Sequence, residues 1–533
     1  MCMGRNTRWS IPAGILVVVL TACVPRTADS TTQYQGKVDL STTKGTALII
    51  PPDRMLAATG GITPVAYGKP KHGSIAYSAN GEMIYTPDAG YTGTDELPVS
   101  VSHAVKLYSE EALPLTTMGG VAIKAGAHGS AIAGVPGTAD VIYGLTDRGP
   151  NVDGRSGSEK VLPLPDYHPH IAKLRLAGGI ATVEQTITLH APDGSPLVGL
   201  IDPHASTGEA LVDLNGAPLR PSEYGVDPEG LVARPDGTFW VSDQYGPYII
   251  HFDAKGKELE RLSPLDGTLP RELSLRSPNQ GMEGLTITPD GNTLVGIMQS
   301  AIQTPGLTGP AKSVPFTRIV TINLVDRSIV HEYLYPLANP QQTNVSISDI
   351  TALSATTFLI DERDDKFAPD ANKKIYLADV AGATDVGPHS TVVGSSYQAE
   401  AGGLLINNVP LETFVGVTTD ADAIAKLKAA GITVATKELK LDLSELLRTL
   451  SPKGYFFGHD QIDGLITPDG GKTIVVANDS NYGLAGLAAD NPTLRLKPKT
   501  LPNGTQDNGE ILSVDTTMLP AKPESMTIPI SVL

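Results

Sequence analysis

The 533-residue sequence predicts an all-β protein in which a small β-sandwich precedes a six-bladed β-propeller. Glycine (55) and proline (42) are abundant, and both residues mark turns between short strands. Hydrophobic and polar residues alternate with period two in many short runs, which is typical of half-buried strands. A hairpin pattern recurs along most of the chain, and repeats of this length favour propeller blades.

The first 44 residues predict export and anchoring rather than a folded domain. Arg5 and Arg8 precede the apolar run 11–20, which is too short to span a bilayer, so residues 1–22 are expected to be a signal peptide. The tetrad Leu20-Thr21-Ala22-Cys23 resembles the lipobox of bacterial lipoproteins, which implies a lipidated Cys23. Val24 after the cysteine favours the outer membrane by the same resemblance, and residues 23–44 predict a flexible tether. The alternative is an ordinary signal peptide with an incidental cysteine.

Residues 45–110 predict the small sandwich. The run 73–77 and the run 83–87 alternate in period two on either side of Asn80-Gly81, a hairpin turn signal. The segment Tyr85-Thr86-Pro87-Asp88-Ala89-Gly90-Tyr91-Thr92-Gly93 resembles bacterial cadherin-like and Ig-like repeats. This resemblance implies an Ig-like domain that acts as a spacer.

Residues 115–533 are organised by repeats. Glu229-Gly230, Glu283-Gly284 and Asp463-Gly464 each begin a strand that leads through Pro-Asp-Gly into a second strand. Asp349 begins a weaker copy, and Asp147 ends a fragment of another. The spacings are 283−229 = 54, 349−283 = 66 and 463−349 = 114, so one degenerate unit fits in the last interval and six units result. A solenoid or an array of sandwiches is the alternative, and the runs 421–430 and 441–450 predict helices in an insertion or a connection between blades.

The repeated acids predict a metal site. Equivalent positions of propeller blades form a ring around the channel, and carboxylates about 6 Å apart repel by about 3 kcal/mol per pair at an effective dielectric near 20. A hard cation held by oxygen atoms would offset that repulsion, and calcium fits better than zinc. The alternative is that each acid caps a turn, which is expected for Asp236, Asp290 and Asp469. The predicted metal ligands are Glu229, Glu283, Asp349, Asp463, Asp147 and Asp479.

Several runs of the sequence surround the repeated acids and the ends of the strands that follow them. They are Thr146-Asp147-Arg148-Gly149-Pro150-Asn151, Tyr224-Gly225-Val226-Asp227-Pro228-Glu229-Gly230, Trp240-Val241-Ser242-Asp243-Gln244-Tyr245-Gly246-Pro247, Asn279-Gln280-Gly281-Met282-Glu283-Gly284, Ser348-Asp349-Ile350, Asp361-Glu362-Arg363-Asp364 and Val476-Ala477-Asn478-Asp479-Ser480-Asn481. These runs resemble the bacterial phytase-like family, described as having esterase-like activity of phytase. The resemblance covers roughly residues 118–520 and implies a propeller whose repeated acids act in hydrolysis. The chain departs from the family by carrying Gln244 and Asp463 where glutamate is frequent.

The function expected from the residues and the resemblance is that of an envelope-anchored, calcium-dependent phosphoester hydrolase. Asp243 or Glu362 would orient a water molecule, and Arg148 and Arg363 would hold a small phosphorylated or ester substrate. The net charge of −17 argues against a nucleic-acid partner. The sequence contains no Gly-x-Ser-x-Gly motif to support a serine hydrolase. A gluconolactonase-like metal-dependent lactonase and a non-catalytic propeller that binds glycan or protein remain open.

Overall fold

The computed structural model describes residues 38–533, except 79–80, 112, 206–207, 329 and 489–493. The signal peptide, Cys23 and most of the tether therefore lie outside the described residues, as does Asn80 of the predicted hairpin turn. The described residues belong to one compact unit. No helix within them is long and apolar enough to cross a lipid bilayer.

The N-terminal part forms the predicted sandwich of two sheets. Its core contains Leu40, Met83, Tyr85, Leu97 and Val99, all buried at alternate positions of their strands. The chain contributes strands β1 (Leu40–Thr42), β2 (Leu48–Ile50), β3 (Thr63–Tyr67), β4 (Gly73–Tyr77), β5 (Met83–Pro87) and β6 (Gly93–Ser102), with helix α1 (Pro52–Ala58). One sheet is β2-β5-β4. The other contains β1, β6 and β3, with the C-terminal strand (Glu524–Val532) inserted between β1 and β6.

The rest of the described chain is also dominated by strands. They are β7 (Val105–Glu110), β8 (Thr116–Met118), β9 (Val121–Ile123), β10 (Ala131–Gly134), β11 (Val141–Leu145), β12 (Val152–Asp153), β13 (Glu159–Val161), β14 (His170–Ala177), β15 (Ile180–Thr188), β16 (Ala210–Val212), β17 (Pro228–Ala233), β18 (Phe239–Asp243), β19 (Ile249–Phe252), β20 (Glu258–Leu262), β21 (Met282–Ile287), β22 (Thr293–Met298), β23 (Phe316–Asn323), β24 (Val330–Pro336), β25 (Ser346–Ala352), β26 (Thr357–Arg363), β27 (Lys373–Asp379), β28 (Ser395–Gln398), β29 (Gly403–Ile406), β30 (Val409–Pro410), β31 (Thr436–Asp442), β32 (Gly464–Ile466), β33 (Thr473–Ala477), β34 (Leu484–Leu487), β35 (Leu496–Pro498) and β36 (Glu510–Asp515). The α-helices are α2 (Pro340–Thr343), α3 (Leu411–Val415), α4 (Asp420–Ala429) and α5 (Leu443–Leu450), and the 3-10 turns are Pro203–Ala205, Arg271–Leu275, Ala311–Ser313, Ala399–Ala401, Asn481–Gly483 and Thr516–Met518.

Within the described residues, five four-stranded antiparallel sheets are arranged in a propeller-like ring. The first strands β10, β17, β21, β25 and β32 contact one another in a closed cycle around the centre. From the centre outward the sheets are β10-β11-β14-β15, β17-β18-β19-β20, β21-β22-β23-β24, β25-β26-β27-β31 and β32-β33-β36-β7, which we number sheets 1 to 5. Sheets 1 and 5 also touch at their outer edges, where β15 pairs with β7 in parallel.

The Pro-Asp-Gly segments form the turns that the sequence predicts. Asp236 and Asp290 accept backbone N–H bonds from Thr238 (3.0 Å) and Asn292 (3.1 Å), two residues further along the chain. Asp469 accepts such a bond from Thr473, four residues further along, at 2.7 Å. These three aspartates are Asx caps at the outer ends of hairpins, so they are not available to the centre of the ring.

The prediction of six blades is not confirmed. The residues between β27 and β31, where the degenerate sixth unit was expected, instead form the small sheet β28-β29-β30 with helices α3 and α4. This insertion packs its own core against sheet 3, through Leu404, Leu411 and Leu427 on Phe316 and Leu334. The helices α4 and α5 agree with the predicted runs 421–430 and 441–450.

The sandwich and the ring exchange strands, so the chain does not divide at a single point near residues 110–115. Strand β7, assigned to the sandwich from the sequence, is the outer strand of sheet 5 and pairs with β36. The C-terminal strand, assigned to the propeller domain 115–533, pairs with β6 over nine residues, from Gly93↔Val532 to Val101↔Glu524. A fragment starting at residue 115 would lack one strand of the ring and would expose a strand of the sandwich.

Candidate functional site

The centre of the ring is shaped by a β-bulge in three sheets. The ladder between first and second strands skips Glu229 in sheet 2, Glu283 in sheet 3 and Ser348 in sheet 4. A bulged residue leaves the regular alternation and can aim its side chain along the inner edge of the sheet. Ser348 is therefore the structural equivalent of the two glutamates, and the corresponding positions in sheets 1 and 5 are Ser130 and Asp463.

A second set of equivalent positions follows the second strand of each sheet. The residue directly after the bulge position pairs with a residue of the second strand. In every sheet, the second equivalent position lies two residues further along the chain from that partner. The five residues at this position face the centre of the ring together, and they are Asp147, Gln244, Gln299, Arg363 and Asp479.

The residues of both sets, except Ser130 and Ser348, line a polar cavity of about 130 Å³ at the centre of the ring. Six carboxylates and three cationic side chains line it, so the lining carries three excess negative charges when every group is ionised. Amide side chains supply the remaining polar surface. The lining residues are Asp147, Asp227, Glu229, Glu283, Asp463 and Asp479, then Arg148, Lys160 and Arg363, then Asn151, Gln244, Asn279, Gln299, Gln461 and Asn481.

The carboxylates of the cavity raise one another's pKa values, because each negative charge disfavours the ionisation of its neighbours. Burial, and next the charges of Asp227 and Glu283, raises the pKa of Glu229 well above its ordinary value. Burial, and next the charge of Asp463, raises the pKa of Glu283 well above its ordinary value. The same two causes raise the pKa of Asp479 to about 6. Burial and Asp479 raise the pKa of Asp147. The cavity therefore favours any process that adds positive charge to it.

Several oxygen atoms that face the cavity lack a hydrogen-bond donor. Asp227 Oδ2 and Gln244 Oε1 are buried without a hydrogen-bond partner among the described residues, although Arg148 Nε lies 3.6 Å from Asp227 Oδ2. The carboxylate of Glu229 likewise accepts no hydrogen bond there, whereas Glu283 accepts one from Gln299 Nε2 at 2.7 Å and another from Gln244 Nε2. Unpaired buried oxygens are costly, and they are the ligands that hard cations prefer.

Arg148 is fixed within the wall of the cavity. Its backbone N–H donates to Asp227 Oδ1 at 3.2 Å, and its Nη1 donates to Tyr245 (3.2 Å) and Glu209 (3.3 Å). Its Nη2 donates to Asn279 Oδ1 at 3.0 Å. Each side of the guanidinium is thus engaged, so Arg148 anchors the acids of this wall rather than standing free to clamp a ligand.

Arg363 holds the opposite wall in the same way. Its Nε donates to Asp463 Oδ1 at 2.9 Å and to the Ser348 hydroxyl at 3.0 Å, and its Nη1 bonds Asp365. Ser348 in turn donates to Asp463 Oδ1 at 2.6 Å. This arrangement joins sheets 4 and 5 at the cavity, and it places one positive charge beside the acids.

Asp349, predicted as a metal ligand, does not line the cavity. Its Oδ1 accepts from its neighbour Ile350 N and its Oδ2 accepts from Leu465 N, both at 2.8 Å. The bulge at Ser348 shifts Asp349 into the position of Gly230 and Gly284, so its carboxylate bridges β25 to β32 inside the wall. Ser348, not Asp349, therefore takes the place of the repeated acid in this sheet.

Asp243 and Glu362, predicted to orient water, also lie outside the cavity lining. Asp243 accepts backbone N–H bonds from Asp227 (2.7 Å) and Gly246 (2.6 Å), and burial raises its pKa to about 7. Glu362 accepts from Tyr335 at 2.7 Å and pairs with Lys437. Each precedes the residue that does face the cavity, since neighbours on a strand point to opposite sides.

The structure brings together five of the six predicted metal ligands, Asp147, Glu229, Glu283, Asp463 and Asp479, and both predicted arginines. It adds Asp227, Asn279 and Gln461 from loops and Lys160 from strand β13, and none of these carries a repeat signal in the sequence. Gln244 could have been found by aligning the strand ends on the residue after the acid, which here is Asp243. Among the described residues, no three His, Cys, Asp or Glu side chains converge tightly enough to hold a metal ion as they stand.

A buried histidine lies behind the cavity wall. His459 Nδ1 is 2.9 Å from Asp507 Oδ1, and its Nε2 is 2.9 Å from Glu510 Oε2. Lys499 connects this pair to the cavity, because its Nζ lies 3.5 Å from Asp507 Oδ2 and 3.4 Å from Gln461 Oε1. Burial alone would lower the pKa of His459, but the charges of Asp507 and Glu510 and their hydrogen bonds raise it to about 9.

We expect His459 to stabilise the fold below about pH 6.5 and to lose this contribution as the pH rises through about 9. The folded state holds the proton more tightly than the unfolded state, whose histidine pKa is near 6.5, so the contribution is about 3 kcal/mol at most. Urea unfolding of the wild type and of His459→Gln at pH 6 and pH 9.5 tests this. The variant should lose most stability at pH 6, whereas the exposed control His204→Gln should match the wild type at both values; an equal loss at both pH values would contradict the protonated state.

The comparisons with known proteins agree with the sequence resemblance. The model of the phytase-like family, described as esterase-like activity of phytase, matches residues 126–482, and that of a bacterial Ig domain matches residues 25–112. A curated relative, an uncharacterized secreted protein of Arthroderma benhamiae, is 30% identical over 42% of this chain and 54% of that protein. The chain thus spans about half the length of this relative.

Solved structures give only weak similarity. A luciferin-regenerating enzyme is 10% identical with a TM-score of 0.28, over 86% of this chain and 97% of that chain. Regucalcin of Agrobacterium tumefaciens is 10% identical with a TM-score of 0.28, over 74% and 95%. A streptogramin B lyase is 10% identical with a TM-score of 0.26, over 77% and 97%. Values this low do not inform the function, and the assignment stands on the family model, which spans most of the ring: the chain belongs to the phytase-like family, described as having esterase-like activity of phytase.

Proposed function

We propose that the protein is a calcium-dependent phosphoester hydrolase whose reaction takes place in the central cavity of the ring. The observation that carries this proposal is the composition of the lining, in which six carboxylates face three cationic groups. The family assignment supports hydrolysis of an ester. The departures at Asp349, Asp243 and Glu362 change which residues take part, but they leave the acidic cavity itself intact.

The residues present fit a hard divalent cation by their chemistry. Asp227 Oδ2, Gln244 Oε1 and the Glu229 carboxylate are oxygen donors without a hydrogen-bond partner among the described residues. Asp147, Glu283, Asp463 and Asp479 would complete the set. Calcium accepts six to eight such oxygens with flexible geometry, which suits a mixed carboxylate and amide lining. A bound ion would supply the charge that an anionic ester needs here and would lower the pKa of a bound water.

The protein's own side chains would position the reactants. Arg148 and Arg363 hold Asp227 and Asp463 in place, so the acids cannot swing away from one another. Glu229, which has no donor of its own, is the carboxylate best placed to accept a proton from an attacking water. Lys160 lies in the lining and pairs with the exposed Asp153 at 2.6 Å, so it is the cation most able to turn toward a substrate phosphate.

A screen of the full chain with calcium or with a chelator tests this function. p-Nitrophenyl phosphate, phytate and glucono-δ-lactone cover the phosphoester and lactone alternatives. We expect phosphate release that requires calcium, and a higher melting temperature with calcium, because an ion at 100 times its dissociation constant adds about 2.7 kcal/mol. Calcium-dependent cleavage of the lactone alone would transfer the assignment to a lactonase, and superimposable melts without turnover would leave a non-catalytic protein.

We also propose that the protein is anchored in the cell envelope through Cys23, which lies outside the described residues. The lipobox resemblance supports the anchor, and the curated relative described as secreted supports a location outside the cytoplasm. Cys23→Ser should move the protein from the membrane pellet to the soluble fraction, since one lipidated residue carries the attachment. The anchor would be contradicted if this variant stayed in the membrane pellet under conditions in which a detergent-treated control is released.

A further inference from the structure

A second and larger cavity, of about 660 Å³, lies between the sandwich and the ring. The sandwich contributes residues of α1, β3 and β4, and the ring contributes residues of β7, the loop 451–458 and the segment 501–510. It shares no lining residue with the acidic central cavity. Its volume falls within the range of about 300–1,000 Å³ that is typical of small-molecule sites.

One side of this cavity is apolar and aromatic. Met55, Val65, Met83, Phe456 and Phe457 are each less than 5% exposed and form its floor. Three tyrosines stand beside them: Tyr67 and Tyr77 from the sandwich and Tyr455 from the ring. Their rings offer flat faces on which apolar C–H groups can pack.

The tyrosine hydroxyl groups are open to solvent or to a ligand and are not bonded within the described part of the protein. Tyr77 lies close enough to interact electrostatically with both Tyr67 and Tyr455. None of the three hydroxyls has a hydrogen-bond partner among the described residues. A ligand with hydroxyl groups could form hydrogen bonds with the three tyrosine hydroxyls. A plain hydrocarbon chain would remove them from water without a partner, at a cost of about 1–3 kcal/mol for each group.

The opposite side of the cavity offers preorganised acceptors. Glu510 is held by His459 and by Ser109 (3.0 Å), and Glu110 is held by His128 at 2.6 Å. Gln506 and Asn508 add amide groups to the lining. Carboxylates and amides fixed in this way are suited to bind the hydroxyl groups of a ligand.

The charge of the lining disfavours an anionic ligand. Four glutamates, Glu82, Glu110, Glu111 and Glu510, face the cavity against two lysines, Lys124 and Lys453. A phosphorylated or carboxylated ligand would meet net repulsion there. The required chemistry is therefore uncharged, rich in hydroxyl groups and apolar on its ring faces.

We propose that the cavity between the sandwich and the ring binds an uncharged oligosaccharide. Sugar rings combine the C–H faces that pack on Tyr67, Tyr77 and Tyr455 with the hydroxyl groups that Glu110, Glu510 and the tyrosines would bind. The site uses both parts of the protein, so the sandwich serves recognition as well as spacing.

Calorimetric titration of the full chain with cellotriose, maltotriose, xylotriose and chitotriose tests the proposal. At least one of them should bind and raise the melting temperature. The double variant Tyr67→Phe, Tyr77→Phe keeps both rings and removes only the hydroxyl groups, so it should bind that sugar about tenfold more weakly. Tyr108→Phe, on β7 but outside the cavity lining, should bind like the wild type.

Failure of all four sugars to bind at about 10 mM would overturn the proposal, as would unchanged binding by the double variant. Tyrosine-dependent binding of laurate or glucose 6-phosphate in place of the sugars would assign the cavity to a lipid or an anion instead. Glu229→Gln changes the central cavity and should bind the sugar as the wild type does. The sugar-binding test therefore stands even if the proposed hydrolase activity is not found.

Discussion

Glu229→Gln is expected to lower the rate of calcium-dependent hydrolysis at least about 100-fold, which corresponds to about 2.7 kcal/mol of transition-state stabilisation. The substitution removes the one cavity carboxylate that accepts no hydrogen bond from the described residues, while it conserves the shape of the side chain. The gain in melting temperature with calcium should shrink as well. Steady-state phosphate release and thermal melts with calcium and with chelator provide the two readouts.

Three further variants make this result specific. Asp290→Asn changes the turn acid in the same repeat as Glu283, and it should behave as the wild type because Asp290 caps an exposed hairpin. Asp349→Asn should cost stability but leave calcium affinity unchanged, since Asp349 bridges two strands within the wall.

Glu283→Gln added to Glu229→Gln should cost less than it does alone, because both act on one ion. Strict additivity would indicate separate structural roles.

Ile530→Asp is expected to unfold the sandwich while the central sheets of the ring persist. Ile530 is fully buried in the sandwich core, and an unpaired carboxylate there costs more than about 4 kcal/mol through lost burial and desolvation. Limited proteolysis with mass spectrometry should show cleavage between residues 45 and 102, with a resistant fragment that starts near β7.

The same strand supplies the control for that experiment. Thr527→Asp places the same side chain on the exposed face of the C-terminal strand, three residues away, so proteolysis should match the wild type. If Ile530→Asp instead exposes the ring and the sandwich to protease together, the two parts unfold as one cooperative unit.

The hairpin repeats could be predicted because each is encoded locally. An acid, a glycine and a Pro-Asp-Gly turn fix two strands and the loop between them within about 20 residues. The direction of the side chains could not be read with the same certainty, because the bulge at Glu229, Glu283 and Ser348 shifts the alternation by one residue. For the same reason Asp349, one residue after Ser348, lies in the wall of the cavity and not in its lining.

The number of sheets depends on contacts that spacing does not encode. The interval of 114 residues before Asp463 is long enough for two repeats, yet it holds the strands of one sheet, sheet 4, and an insertion before its outer strand β31. The insertion is held to sheet 3 by Arg318, whose guanidinium pairs with Glu332 (2.6 Å) and Glu412 (2.8 Å), all fully buried. Such a contact between distant segments leaves no periodic trace in the sequence.

The insertion of the C-terminal strand between β1 and β6 has a consequence for how the protein is made. Ser102 ends β6 and Glu524 begins its partner, so the 421 residues from 103 to 523 must be synthesised between them. At about 5–20 residues per second, translation leaves the backbone edge of β6 without its partner strand for about 20 to 80 seconds. The part of the protein that leaves the ribosome first is therefore completed last, and a chain that stops short cannot finish its own N-terminal domain.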